Sequence, residues 1–249
     1  MRKWLILVLA LLLTGCSADK WPQKNPYTAE DFVYDGQWLE CISGEAVRGI
    51  DVSTHQGDID WEKVAAQDVE FAMIRVGYRG ALEGEINEDR RAHTNIQGAL
   101  DAGLDVGIYF FSQALSVEEA VEEANYVLDF IAGYDITMPV VFDWEHVERE
   151  DARTAQMKDR GLLTACAKAF TDVVAEAGYR PMVYFNRYQA TLLLDLKELE
   201  GCGGFHWIES FEPEDLNRLL RQAMAGNADI RSGVLDYDWD HALQYLLRS

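Results

Sequence analysis

Residues Val141 to Glu145 read V-F-D-W-E, two carboxylates one residue apart at the end of an apolar run. In an extended strand successive side chains point to opposite faces, so Asp143 and Glu145 share a face, about 7 Å apart at their Cα atoms, while Trp144 points away. Paired carboxylates at such a spacing suit the cleavage of a glycosidic bond. A third acid, Asp51, sits late in an earlier run, Gly49 to Ser53, between Ile50 and Val52. With those two aliphatics turned toward a helix layer, Asp51 faces the other way.

Such chemistry needs elements that bring residues 51 and 143 to one place. From Arg48 onward short β-rich runs alternate with helical segments; the runs are Gly49 to Ser53, Phe71 to Val76, Val106 to Phe111, Pro139 to Glu145, Pro181 to Phe185 and Phe205 to Ile208. Ser116-Val117-Glu118-Glu119 reads as a capping box. It opens a helix whose buried stripe is Val117, Ala120, Val121, Ala124, Val127, Leu128 and Ile131, with Gly133 as the stop. A second helix is expected from about Leu162 to Ala177, burying Leu162, Cys166, Ala169, Phe170, Val173 and Val174 and ending at Gly178. A third turns Ile96, Ala99 and Leu100 inward and closes at Gly103. Strands alternating with helices predict an α/β fold with a parallel sheet, and at this length an irregular TIM-like (β/α) barrel is the favoured closure. Parallel strands place their C-terminal ends on one rim, where such barrels collect reactive groups, so Asp51, Asp143 and Glu145 are expected to meet there.

The 249 residues hold 43 acidic against 22 basic side chains, a formal net charge of −21 that repels nucleic acid. The chain opens with Met1, Arg2 and Lys3, then an apolar run from Trp4 to Leu13 too short to span a bilayer but suited to a signal-peptide core. Leu13-Thr14-Gly15-Cys16 resembles a bacterial lipobox, which implies cleavage before Cys16 and a lipid thioether on its sulfur. An ordinary secretory signal is the alternative. The expected organisation is a lipoprotein signal peptide over 1–15, a tether over 16–47 carrying Pro22 and Pro26, and a barrel over 48–249. The mature chain is then expected on the extracytoplasmic face of a bacterial membrane, held by the lipid on Cys16. Cys41, Cys166 and Cys202 form no C-x-x-C, which argues against a zinc knuckle or disulfide framework and leaves a single pair undetermined. His55, His93, His146, His206 and His241 show no pair at metal-ligand spacing. The acidic stretch Glu145 to Asp151 reads as a solvated loop rather than a cation site, so neither metal nor cofactor is expected.

Five segments in order resemble glycoside hydrolase family 25, the Chalaropsis-type lysozymes or N-acetylmuramidases. They are G-I-D-V-S at Gly49 to Ser53, Q-G-D-I-D-W at Gln56 to Trp61, I-R-V-G at Ile74 to Gly77, A-G-L-D-V-G-I-Y-F-F-S at Ala102 to Ser112, and V-V-F-D-W-E at Val140 to Glu145. The resemblance runs from about Arg48 to Trp207. It implies an irregular β/α barrel that hydrolyses the β-1,4 bond between N-acetylmuramic acid and N-acetylglucosamine, with peptidoglycan glycan strands as the partner. Carried over by position, Glu145 matches the general acid, Asp143 its partner acid and Asp51 the acid of the first strand. Asp143 would orient the substrate's N-acetyl group or stabilise the charge developing at the anomeric carbon. Crowding among three carboxylates raises the pKa of at least one, which suits an acid that must keep its proton near neutral pH. Tyr109, Phe111, Tyr184 and Trp207 are candidates for stacking on sugar faces, core packing being the other use of a strand aromatic. Arg75 either neutralises part of the acid cluster or lies at the surface or between layers.

The tail departs from the family pattern. Val234-Leu235-Asp236-Tyr237-Asp238 aligns with the motif of the last strand, making Asp236 a fourth acid in the substrate site. In the alternative alignment, Tyr237 to Tyr245 matches an earlier W-Q-Y region, and the barrel is incomplete at its C-terminal end. The second alignment is favoured by Leu243-Gln244-Tyr245. A barrel crippled there would bind peptidoglycan without cutting it, the rival to a peptidoglycan hydrolase. A chitinase-like enzyme is a further rival, but Pro139 to Glu145 lacks the longer acidic D-x-x-D-x-D-x-E strand.

Overall fold

The structure is a computed structural model that describes residues 29–34, 39–44, 46–186, 188–199, 205–208 and 244–247. Strands β1 (Phe32–Tyr34) and β2 (Leu39–Cys41) pair as an antiparallel hairpin, so part of the expected tether is ordered. The main sheet holds β3 (Ala46–Val52), β4 (Phe71–Arg79), β5 (Ile86–Glu88), β6 (Asp105–Ser112), β7 (Val140–Trp144), β8 (Pro181–Phe185), β9 (Phe205–Ile208) and β10 (Gln244–Leu247). Its order is β10-β3-β4-β6-β7-β8-β9, with β5 hydrogen-bonded to β4 off that path. All neighbours from β3 to β9 along the path run parallel, whereas β10 is antiparallel to β3.

The result is an incomplete TIM-like barrel, open among the described residues. All six expected runs are strands. Gln244 and Tyr245, the end of the segment favoured as a W-Q-Y element, lie in β10, where Gln244 pairs with Gly49 of the first barrel strand. Asp236, Cys16 and Cys202 lie outside the described residues.

Helices α1 (Trp61–Ala65), α2 (Ala92–Asp101), α3 (Val117–Ile131), α4 (Arg160–Glu176) and α5 (Leu196–Leu199) complete the layers. The two longest, α3 and α4, start where the sequence supplies caps. Ser116 accepts from the Glu119 N–H, and Asp159 accepts from the Leu162 N–H. The expected reciprocal half of the Ser116 box is displaced by one residue, because Glu119 reaches back to the Leu115 N–H instead. Gly103, Gly133 and Gly178 close α2, α3 and α4 with positive φ of 80°, 99° and 89°, where a side chain would strain the backbone.

Two cores divide the sheet by the strand period of two. Ala72, Ile74, Val76, Val106, Ile108, Phe110, Val140, Phe142, Trp144, Val183 and Phe185 face the helices in the larger cluster. The inner face is filled by Phe71, Met73, Val141, Met182 and Tyr184, with Val47, Tyr109 and Met138 packed against them. Gly49 and Gly107 make this filling possible, since a Cβ on the first would strike the Phe71 ring and one on the second the Met73 thioether. Toward the C-terminal ends of β3, β4 and β7 the inner face carries Asp51, Arg75 and Asp143.

The expected buried face of α4 is shifted. Leu163, Thr164, Cys166, Ala167, Phe170, Thr171 and Val174 are buried, while Leu162 and Val173 only pack at the edge. This helix touches α3 as well as β7 and β8, so its covered stripe is broad. Its threonines enter the core because each hydroxyl donates to a carbonyl one turn earlier, Thr164 to Arg160 O at 2.7 Å and Thr171 to Ala167 O at 2.9 Å.

Candidate active site

Alternation places Asp51, Arg75, Tyr109, Phe111, Asp143 and Tyr184 on the inner face, because their neighbours Ile50, Val52, Ile74, Val76, Ile108, Phe110, Phe142, Val183 and Phe185 pack outward. The register then sorts these residues into rows. Phe111, Asp143, Tyr184 and Trp207 occupy successive paired positions across β6, β7, β8 and β9. Tyr109 pairs with Arg75 on one side and Val141 on the other, and Asp51 pairs with Met73.

After Arg75 a β-bulge shifts the β4 register, so that Gly77 opposes Phe110 and Tyr78 opposes Phe111. Tyr78 thereby rejoins the inner side, and the Arg75 guanidinium lies 5.4 Å from the centre of its ring. Asp143 is buried, with 7 % of its surface exposed. Glu145 stands one residue past the end of β7 and is half-buried. Tyr184 is buried within the inner cluster, whereas Tyr109 and Phe111 keep part of their surface open.

Tyr109 reports how closely the charged groups gather. Burial pushes its phenol well above the ordinary value. The negative charges of Asp51, Asp143 and Asp89 push it further, with Arg75 alone pulling it down. Acids 92 positions apart in the chain thus act on one hydroxyl at the C-terminal ends of the strands.

A family model for "Glycosyl hydrolases family 25" matches residues 50–219. The chain belongs to glycosyl hydrolase family 25. Lysozyme M1 of Streptomyces globisporus is 34% identical over 103 residues, 40% of this chain and 33% of that lysozyme. The modular autolysin LytC of Streptococcus pneumoniae, solved in complex with a synthetic peptidoglycan ligand, is 25% identical, with a TM-score of 0.52 over 58% of this chain and 33% of LytC. A family 25 glycosyl hydrolase from Bacillus anthracis is 22% identical with the same TM-score of 0.52, over 66% of this chain and 70% of that one. The chain thus spans about a third of the length of the lysozyme and of LytC.

In this family 25 chain Arg75 is paired with an acid outside the expected three. Its Nε and Nη2 donate to one oxygen of Asp89 at 2.9 and 2.8 Å, and that oxygen also accepts the Thr54 N–H at 2.9 Å. The second Asp89 oxygen accepts the Arg91 N–H at 3.0 Å. One buried aspartate therefore ties the ends of β3, β4 and β5 together and fixes the guanidinium beside Tyr109. Asp89 went unnoticed in the sequence because it follows a three-residue strand with no period of its own.

Two buried glutamines, Gln113 and Gln189, also escaped notice, and both contact the backbone that carries the acid pair. Beyond Glu145, His146 packs edge-on between Trp144 and Tyr188, and burial lowers its pKa. Residues 148–151 are exposed, with Arg149 paired to Asp151, as a solvated loop should be.

Proposed function

We propose that this chain is an N-acetylmuramidase that hydrolyses the β-1,4 bond between N-acetylmuramic acid and N-acetylglucosamine in peptidoglycan. The observation that carries this reading is the placement of Asp51, Tyr109 and Asp143 on the inner face toward the C-terminal ends of parallel strands, with Glu145 two residues beyond Asp143. Glu145, half-buried at the open end of the sheet, acts as general acid and protonates the leaving glycosidic oxygen. Asp143, on the inner face, meets the positive charge developing at the anomeric carbon or holds the N-acetyl group that does so.

Asp51 adds negative potential from the neighbouring side. Tyr109 stays a neutral phenol at physiological pH, able to donate a hydrogen bond among acceptors. The partly open rings of Tyr109 and Phe111 offer a platform for a pyranose face, with Tyr184 packed behind them. The peptidoglycan ligand bound by LytC supports the substrate class. The lipobox-like Leu13-Thr14-Gly15-Cys16 supports placing the enzyme on the outer face of a bacterial membrane, tethered through Cys16.

Digestion of purified peptidoglycan by the full chain tests the reading. Wild type should solubilise the polymer, Glu145→Gln should lower kcat by roughly 10²- to 10⁴-fold, and both should still sediment with intact walls. Binding with no solubilisation by the wild type would refute hydrolysis and leave a peptidoglycan-binding protein.

A further inference from the structure

We propose that Gln113 and Gln189 are positioning residues that aim the Glu145 carboxyl by holding the peptide groups on both sides of its Cα. This rests on the assignment of Glu145 as the general acid. Asp143 is held by the ladder, paired with Phe111 and Tyr184, but Glu145 lies past the last residue of β7 and must be oriented by other means.

The Gln189 side-chain amide donates to Trp144 O at 2.6 Å, and the Gln113 amide donates to Glu145 O at 2.6 Å. Those carbonyls belong to the two peptide planes that meet at the Glu145 Cα. Fixing both planes fixes φ and ψ there, and with them the direction of the Cα–Cβ bond.

The orientation of each amide follows from its partners. Gln113 Oε1 accepts from the Thr154 hydroxyl at 2.6 Å, and Gln189 Oε1 accepts from the Asn186 N–H at 2.6 Å. A carbonyl can only accept and a backbone N–H can only donate, so neither amide can be turned over. Both side chains are buried, 0 % and 1 % exposed, where a lost partner is costly and the geometry is correspondingly well held.

Gln113 does a second thing. It bonds residue 145 with its nitrogen and residue 154 with its oxygen, closing the base of the loop that leaves the acid pair. Trp144 Nε1 donating to Ala114 O at 3.0 Å anchors the same strand end to the same segment. Neither glutamine reaches the inner face through these contacts, so their effect on the reaction passes through Glu145.

The test compares two substrates in the full chain. Peptidoglycan has a poor sugar leaving group that needs a proton, whereas a nitrophenyl glycoside of the N-acetylglucosaminyl-N-acetylmuramic acid disaccharide releases a stable phenolate without one. Gln113→Met and Gln189→Met, which keep chain length and remove the amide, should each lower kcat on peptidoglycan by roughly 10²-fold, the scale of a misplaced reacting group, with KM little changed. The nitrophenyl glycoside should lose far less. In a Glu145→Gln background the same substitutions should cause no further loss on peptidoglycan.

Equal losses on both substrates, additive losses in the Glu145→Gln background, or full activity of both methionine variants would each overturn the positioning role. The denaturant midpoint serves as the folding control for each variant, and rates are compared only per folded enzyme. A Glu145→Gln enzyme as fast as wild type would instead remove the general-acid assignment itself, so the two failures are separable.

Discussion

Glu123 shows how a single residue can escape a reading based on hydrophobic period. It lies on the core side of α3, fully buried, with Oε1 accepting from Arg79 Nε at 2.6 Å. Burial pushes its carboxyl from the usual carboxylate range up to about 7, against the opposing pull of Ser112 and Arg79. A carboxyl whose pKa is raised by folding stabilises the protein fully below its unfolded value, near 4.5, and that contribution is lost as pH rises through about 7. The unfolding free energy of Glu123→Gln should therefore gain on wild type between pH 4.5 and 8, by up to about 3 kcal/mol for a shift of this size. Urea titrations at the two pH values measure it, and a constant difference would contradict the raised carboxyl. The placement of Asp51 and Asp143 on one face of the sheet was legible because strand alternation is periodic. Glu123, Asp89, Gln113 and Gln189 were not, because each is buried by a specific partner supplied from a distant segment.

At the level of elements, every barrel strand from β3 to β9 except β5 followed from its apolar run, α3 from its cap, and α2, α3 and α4 from their apolar stripes and terminal glycines. What stayed hidden were the features set by neighbours: the β4 bulge, the short β5 that delivers Asp89, and the rotated face of α4. The N-terminus of α3 is a test of how much the local signals contribute. Ser116→Ala removes the bond to the Glu119 N–H and should cost about 1 kcal/mol of stability, measured by the denaturant midpoint. Glu119→Gln should cost a comparable amount or more, since that carboxylate also meets Arg153 at 2.5 Å and so joins α3 to the loop after β7. An unchanged midpoint for both variants would show that packing alone holds the helix end.

For the whole molecule, the strongly acidic composition and the proposed leader accord with the proposed place in the cell envelope rather than with nucleic-acid handling. The proposed lipid attachment at Cys16 makes its own demand: Cys16→Ser should abolish labelling by a radioactive fatty acid in the bacterial cell, and equal labelling of the variant would exclude this anchor. The inner face, apolar below and acidic above, is the arrangement on which the assigned reaction depends. Its most direct test is the chemistry of the new chain ends released from purified peptidoglycan. Mass spectrometry after borohydride reduction should find N-acetylmuramic acid at the reducing ends, released roughly 10²- to 10⁴-fold more slowly by Glu145→Gln. Reducing ends of N-acetylglucosamine, or muramic ends released undiminished by Glu145→Gln, would contradict the account.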